Sequence, residues 1–156
     1  MGYNNPKFLS QIKGDEAIQF NEQEFHRSNN NATTRLLKEH KEHGGLIIAV
    51  DFDNTIYDYH AAGADYSEVI DLVKRAIRLE HKIFIFTANQ DHDFVIAQCL
   101  AIGLGVLPIN TSEMDHLFPS RKPFYNILLD DRAGLASTMV SLTTVLDFQE
   151  LNNRAG

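Results

Sequence analysis

Three short apolar runs, each closed by oxygen-bearing side chains, most constrain what this 156-residue chain can fold into. Leu46-Ile47-Ile48-Ala49-Val50 leads into Asp51, Ile83-Phe84-Ile85-Phe86 into Thr87, and Ile127-Leu128-Leu129 into Asp130 and Asp131. Runs this short, without polar alternation, suit strands covered on both faces, the usual condition of a parallel sheet. Parallel strands end on one edge, so the groups that follow them share a rim of the kind where open α/β sheets place their ligands. Side chains alternate along a strand, so Asp51 and Asp53, two residues apart, face the same crevice.

The segments between these runs read as helices. Asp65 opens one, with Glu68 completing a capping box and Val69, Ile70, Val73, Ala76 and Ile77 turned inward. A second ends at Gly103 and is followed by a strand over residues 106 to 110 and a polar loop. Beyond Asp131, Leu135, Met139, Leu142 and Leu146 recur at helical spacing, which favours helix over an edge strand for residues 135 to 151. The alternation predicts an α/β fold, a three-layer α/β/α sandwich around a parallel, Rossmann-like sheet of four or five strands. A chain of this length buries about 70% of its unfolded surface in one domain and requires no staple.

Residues 45 to 156 form the α/β unit in this reading, preceded by a helical amino-terminal extension over residues 1 to 44. That extension is rich in Asn, Gln, Glu and Lys, with Ser28-Asn29-Asn30-Asn31 as a loop between two helical stretches. The second stretch runs from about Thr34 to His43, with Leu36 and Leu37 inward and His43-Gly44-Gly45 as the stop. Three roles are open to it: an extra helix beside the sheet, which is the default, a partial lid over the rim, or a contact between copies of the chain.

Four carboxylates, Asp51, Asp53, Asp130 and Asp131, converge on the predicted rim. Each pair at about 4 Å would repel by on the order of 4 kcal/mol at an effective dielectric near 20. A hard divalent cation relieves this, and all-oxygen ligands favour Mg2+ over zinc or copper. Lys122 adds a second positive charge, and together they would hold a phosphate dianion. An Asp after a strand is commonly a helix cap or turn residue. It is the ordered set, with Thr87 and Lys122 between the acidic pairs, that points to phosphoryl transfer.

The DxDxT motif at residues 51 to 55, the threonine of FTAN at 86 to 89, and the run KPFYNILLDD from Lys122 to Asp131 resemble the haloacid dehalogenase (HAD) superfamily. The likeness is to its small bacterial and phage hydrolases and covers residues 46 to about 134. It implies a HAD-like fold and a Mg2+-dependent phosphatase of phosphate monoesters. By that resemblance Asp51 is the nucleophile, giving an aspartyl phosphate, and Asp53 the acid and base for the leaving oxygen and then for water. The carboxylates of Asp51 and Asp130 and the backbone carbonyl of Asp53 would ligate Mg2+, with Asp131 close by or acting through water. Thr87 would hydrogen-bond a phosphoryl oxygen and Lys122 would neutralise charge on the transition state. Asp53 favours ester hydrolysis, since dehalogenating and phosphonate-cleaving members lack an Asp there.

Two departures stand out. Relatives often carry Arg two residues after the motif threonine, where this chain has Asn89. After Asp131 no further carboxylate occurs until Asp147. Neither gap between motifs has room for a cap domain, so the site is expected to be open, suited to a large substrate end or to closure by another segment. Asn54, Thr55, Tyr57, Ala88, Asn89, Asn110 and Arg132 are the further candidates for substrate contact, and Tyr59 belongs with them.

Charge narrows the partners. The net charge of −7 lies wholly beyond residue 44, where eight basic residues face fifteen acidic ones, while residues 1 to 44 hold six of each. That excludes a basic stripe for extended duplex binding, and leaves a nucleotide, a phosphorylated small molecule or a single nucleic-acid end beside Arg121, Lys122 and Arg132. The lone Cys99 forms no intrachain disulfide and reads as core. No signal peptide or apolar span of membrane length appears, so a cytoplasmic, membrane-free location is expected. His40 and His43, beside Glu39 and Glu42, share a helix face but lack a third ligand, and read as a solvated helix end. His60 and His92 are expected to border the rim as exposed residues.

Two other classes fit parts of the pattern. A receiver-like phosphoacceptor also combines Asp, Mg2+, Thr and Lys, but places its acidic pair first and a lone Asp later, the reverse of this chain. A noncatalytic binding protein on the same fold would not need Asp51, Asp53, Thr87, Lys122 and Asp130 all intact.

Overall fold

The computed structural model describes residues 29 to 118 and 120 to 155. Helices and strands alternate along them: α1 (Asn29–His43), β1 (Ile47–Val50), α2 (Ser67–Arg78), β2 (Lys82–Ile85), α3 (His92–Ala101), β3 (Ile127–Leu129) and α4 (Leu135–Ala155). The earlier helical stretch expected within residues 1 to 28 lies outside the described residues. No helix among those described is long and apolar enough to cross a membrane.

The sheet is parallel throughout, in the order β2-β1-β3. Val50 lies level with Ile85 on one side and Leu129 on the other, so the three strands stop together. Ile48, Val50, Ile83, Ile85, Ile127 and Leu129 join the buried core with Val69, Leu72, Val73 and Ala76 of α2, Val95 and Cys99 of α3, and Leu142, Val145 and Leu146 of α4. The α/β class and parallel sheet follow from the apolar runs. Among the described residues the sheet has three strands, against the expected four or five.

Residues 106 to 110 account for that difference. They add only a bridge between Ile85 and Ile109, in which the Ile85 N–H donates to Pro108 O at 2.8 Å and the Asn110 N–H to Ile85 O at 2.7 Å. Gly105 at φ +81° and Asn110 at φ +54° leave the extended region on either side, so the ladder cannot lengthen.

Helix α2 starts one residue later than the capping-box reading, which puts the cap at Asp65. The Asp65 carboxylate accepts the Ser67 N–H at 2.9 Å, an Asx turn, and Tyr66 at the cap position makes no side-chain bond. Its core face is Val69, Leu72, Val73 and Ala76, whereas Ile70 and Ile77 are only partly buried. Residues 135 to 151 are helical, within α4.

Helix α1 spans Asn29–His43 among the described residues, so Asn29 to Asn31 are helical and not part of the expected loop. Leu36 and Leu37 are 0% and 4% exposed, and the Thr33 hydroxyl lies 2.8 Å from that of Ser141 on α4. Of the three roles open to this stretch, α1 takes the packing one. His40 is correspondingly not solvated: both ring nitrogens are enclosed without a hydrogen bond among the described residues, and its ring lies 5.4 Å from that of His81. Thr33, Leu36, Leu37 and His40 share one helix face, a stripe obscured in the sequence by its two polar members.

Asn126 fastens this helix to the sheet. Its Oδ1 accepts the Ile47 N–H at 2.7 Å, its own N–H donates to Ile47 O at 2.8 Å, and its Nδ2 donates to Glu39 Oε2 at 2.8 Å. Arg35 holds Glu39 from the next turn at 2.7 Å.

Candidate functional site

Because the strands end level, the residues that follow them meet beyond the sheet. The Asp51 N–H donates to Leu129 O at 2.8 Å, which sets Asp51 beside Asp130. Carboxylate oxygens of Asp51, Asp130 and Asp131 lie within 4.8 Å of one another. The rim expected from the sequence thus assembles three of its four carboxylates into one group.

A tight turn carries the chain away from Asp51. The Phe52 carbonyl accepts N–H groups from Ile56 and Tyr57, each at 3.1 Å, and the Asn54 N–H donates to Tyr57 O at 2.8 Å. Asn54 takes φ +59°, a left-handed conformation that asparagine tolerates better than most side chains. Within this turn Asp53 is half-buried, and its Oδ1 is enclosed with no hydrogen-bond partner among the described residues. An enclosed carboxylate oxygen left unpaired is costly, which makes it available to an incoming group.

Thr55 is fully buried and acts on the carboxylates themselves. Its hydroxyl donates to Asp51 Oδ2 at 3.1 Å and accepts the Asp131 N–H at 3.1 Å. It is therefore not placed for the substrate contact expected of it. Asp51 remains poorly neutralised. Burial pushes its carboxyl up to about 6, the Thr55 hydrogen bond opposes this, and the Asp130 charge and, more weakly, that of Asp131 add to it. Three crowded carboxylates, one with a raised pKa, form a donor set suited to a hard cation with oxygen ligands.

Thr87, beyond β2, is 8% exposed. Asn110 grips its peptide: Oδ1 accepts the Thr87 N–H and Nδ2 donates to the Thr87 carbonyl, each at 2.8 Å. The Thr87 hydroxyl accepts the Asn89 N–H at 3.1 Å. Asn89 in turn uses its Oδ1 on the Asp91 N–H at 2.9 Å, where Asp91 caps α3.

The remaining candidates are less engaged. Lys122 is exposed, its ammonium 5.6 Å from the Tyr125 ring centroid, and it forms no ion pair with the carboxylate group among the described residues. Tyr57 is turned into the core, stacked on Phe52 at 5.0 Å and edge-on to Phe94 at 5.3 Å, which argues against substrate contact. Ala88 and Arg132 are exposed, the latter donating its N–H to Asp130 Oδ1 at 2.8 Å. Tyr59 and His60 are exposed and in edge-on contact, and His92 is the exposed first residue of α3. Asn110 was expected at substrate and is instead committed to Thr87. Nothing in the sequence distinguishes such an Asn from a turn residue.

No family model matches the chain, and no curated protein matches it. Among solved structures, one described as a conserved protein from Bacteroides thetaiotaomicron is similar, with a TM-score of 0.51 and 24% identity over 64% of this chain and 92% of that one. The likeness is one of fold.

Proposed function

We propose that the chain is a capless, HAD-like phosphatase that uses Mg2+ and the Asp51 carboxylate to hydrolyse phosphate monoesters. The observation that carries this reading is the meeting of Asp51, Asp130 and Asp131 within 4.8 Å beyond the ends of parallel strands. The order of the motifs and the unpaired Oδ1 of Asp53 support it. The finer architecture proposed with it is the three-layer HAD-like sandwich.

Asp51, Asp130 and the Asp53 backbone carbonyl would hold the metal, with Asp131 directly or through water. When bound, Mg2+ offsets the negative charge of the carboxylates and of the phosphoryl oxygens. The chain's own residues do the rest. An Asp51 carboxylate oxygen attacks phosphorus as the bond to the leaving oxygen breaks, and Asp53 gives that oxygen its proton. Asp53, now ionised, takes a proton from water, which attacks the aspartyl phosphate and releases phosphate and the Asp51 carboxylate. The Thr87 hydroxyl donates to a phosphoryl oxygen, and Lys122, on its long exposed stem, adds positive charge. With only a turn, a loop, α2 and β2 between Asp53 and Thr87, nucleotides, phosphorylated metabolites and a polynucleotide end are all admissible substrates.

The acyl phosphate tests this reading. Borohydride added during turnover of p-nitrophenyl phosphate should convert Asp51 to homoserine, a mass change localised to that residue by peptide mass spectrometry. Label at another residue, or hydrolysis with Asp51 never modified, would refute the nucleophile. The phosphoacceptor alternative is less well supported, because an acid and base at Asp53 would shorten the life of the phosphorylated state that it needs.

A further inference from the structure

We infer that Asn110 is a positioning residue that aims the Thr87 hydroxyl, an inference that rests on the function proposed above. The last sheet bond of this stretch is Phe86 N–H to Val50 O at 2.9 Å, so the Thr87 peptide lies one step beyond the ladder. There the Asn110 side-chain amide stands in for a neighbouring peptide. Its Oδ1 and Nδ2 meet the Thr87 N–H and carbonyl at 2.8 Å each. Only this orientation of the amide pairs donors with acceptors, since the reverse sets N–H against N–H.

The amide is itself held firmly. The Asn110 N–H donates to Ile85 O at 2.7 Å, which places its Cα beside the end of β2. Its φ of +54° turns the side chain back toward Thr87, a conformation that asparagine adopts more readily than most residues.

Two consequences follow for the chemistry. The Thr87 N–H is occupied and is not a donor to phosphate, so the hydroxyl is the group that this strand end offers. That hydroxyl already accepts the Asn89 N–H at 3.1 Å, which leaves its single proton to be donated elsewhere. Asn110 fixes the peptide on one side and Asn89 the oxygen on the other, so the direction of the O–H is set before substrate arrives.

The test uses Asn110→Gly, because glycine takes φ +54° freely and the backbone turn survives the loss of the side chain. With p-nitrophenyl phosphate and Mg2+, kcat should fall about tenfold or more while KM stays within about twofold. In a Thr87→Ala background the same substitution should cost nothing further, because the group that it aims is gone. Amide hydrogen exchange at Thr87, followed by NMR, should lose its protection in Asn110→Gly and keep it in the wild type. An active wild type with unchanged kcat in the variant, full additivity with Thr87→Ala, or unaltered exchange at Thr87 would each overturn the inference. A wild type that shows no Asp51-dependent turnover of any phosphate ester would instead overturn the function on which it rests.

Discussion

The Thr55 hydroxyl donates to Asp51 Oδ2 at 3.1 Å, and the hydroxyl oxygen of Thr55 itself accepts the Asp131 N–H at 3.1 Å. One buried side chain therefore ties the turn after β1 to the turn after β3, and holds down the pKa of the residue proposed as nucleophile. Thr55→Val keeps the shape and removes both bonds, leaving the Asp131 N–H without its partner. Urea unfolding should show a loss of about 1–3 kcal/mol. The Asp51 carboxyl should rise further above about 6, and Thr55→Ser should restore most of both properties.

Metal binding should depend on pH through Asp51. Burial, opposed by Thr55 and reinforced by Asp130, raises its carboxyl from 3.8 to about 6 in the metal-free protein. Between those values the folded state holds a proton that the unfolded chain has lost, so this group's contribution to stability declines as pH rises through the window. Mg2+ needs the ionised carboxylate, so binding below about pH 6 releases a proton. Calorimetric titration should give roughly tenfold weaker Mg2+ affinity at pH 5 than at pH 7.5, with a plateau above neutrality. Equal affinity at the two values would contradict the assignment of Asp51 as a ligand.

His81 should give the opposite pH response. Its Nδ1 accepts the Leu46 N–H at 3.0 Å and its Nε2 lies 2.8 Å from Gln149 Oε1, which fixes the neutral tautomer with the proton on Nε2. Burial holds its pKa below the ordinary 6.5. The folded state then binds fewer protons than the unfolded chain, so stability is fully present above 6.5 and is lost as pH falls through the folded value. Asp51 acts with the other sign in an overlapping window, and Asp51→Asn removes that contribution. In this background, unfolding measured between pH 7.5 and 5 should show a falling acid limb, and His81→Phe should flatten it while lowering stability at neutral pH.

The parts legible in the sequence are those where one segment declares itself. Val50-Asp51, Phe86-Thr87 and Leu129-Asp130 mark strand ends because apolar runs stop at polar groups, and the level register then brings the carboxylates together. What was hidden depends on a second segment. Thr55 and Asn110 look like turn residues until Asp131 and Thr87 are placed beside them. His40 looked solvated because nothing in α1 alone shows that His81 lies 5.4 Å away. The bridge at Ile109 looked like a strand because left-handed backbone at Asn110 leaves no mark in hydrophobic pattern.

The central claim is that Asp51 performs metal-dependent phosphoryl transfer. The most direct measurement is phosphate release from p-nitrophenyl phosphate, nucleoside 5′- and 3′-monophosphates, sugar phosphates and a 3′-phosphorylated oligonucleotide, with Mg2+ or with EDTA, for the wild type beside Asp51→Asn. The account predicts release from at least one ester that requires Mg2+ and disappears in a folded Asp51→Asn variant. Hydrolysis undiminished by EDTA or by Asp51→Asn, or no release from any ester although Mg2+ binds, would contradict it.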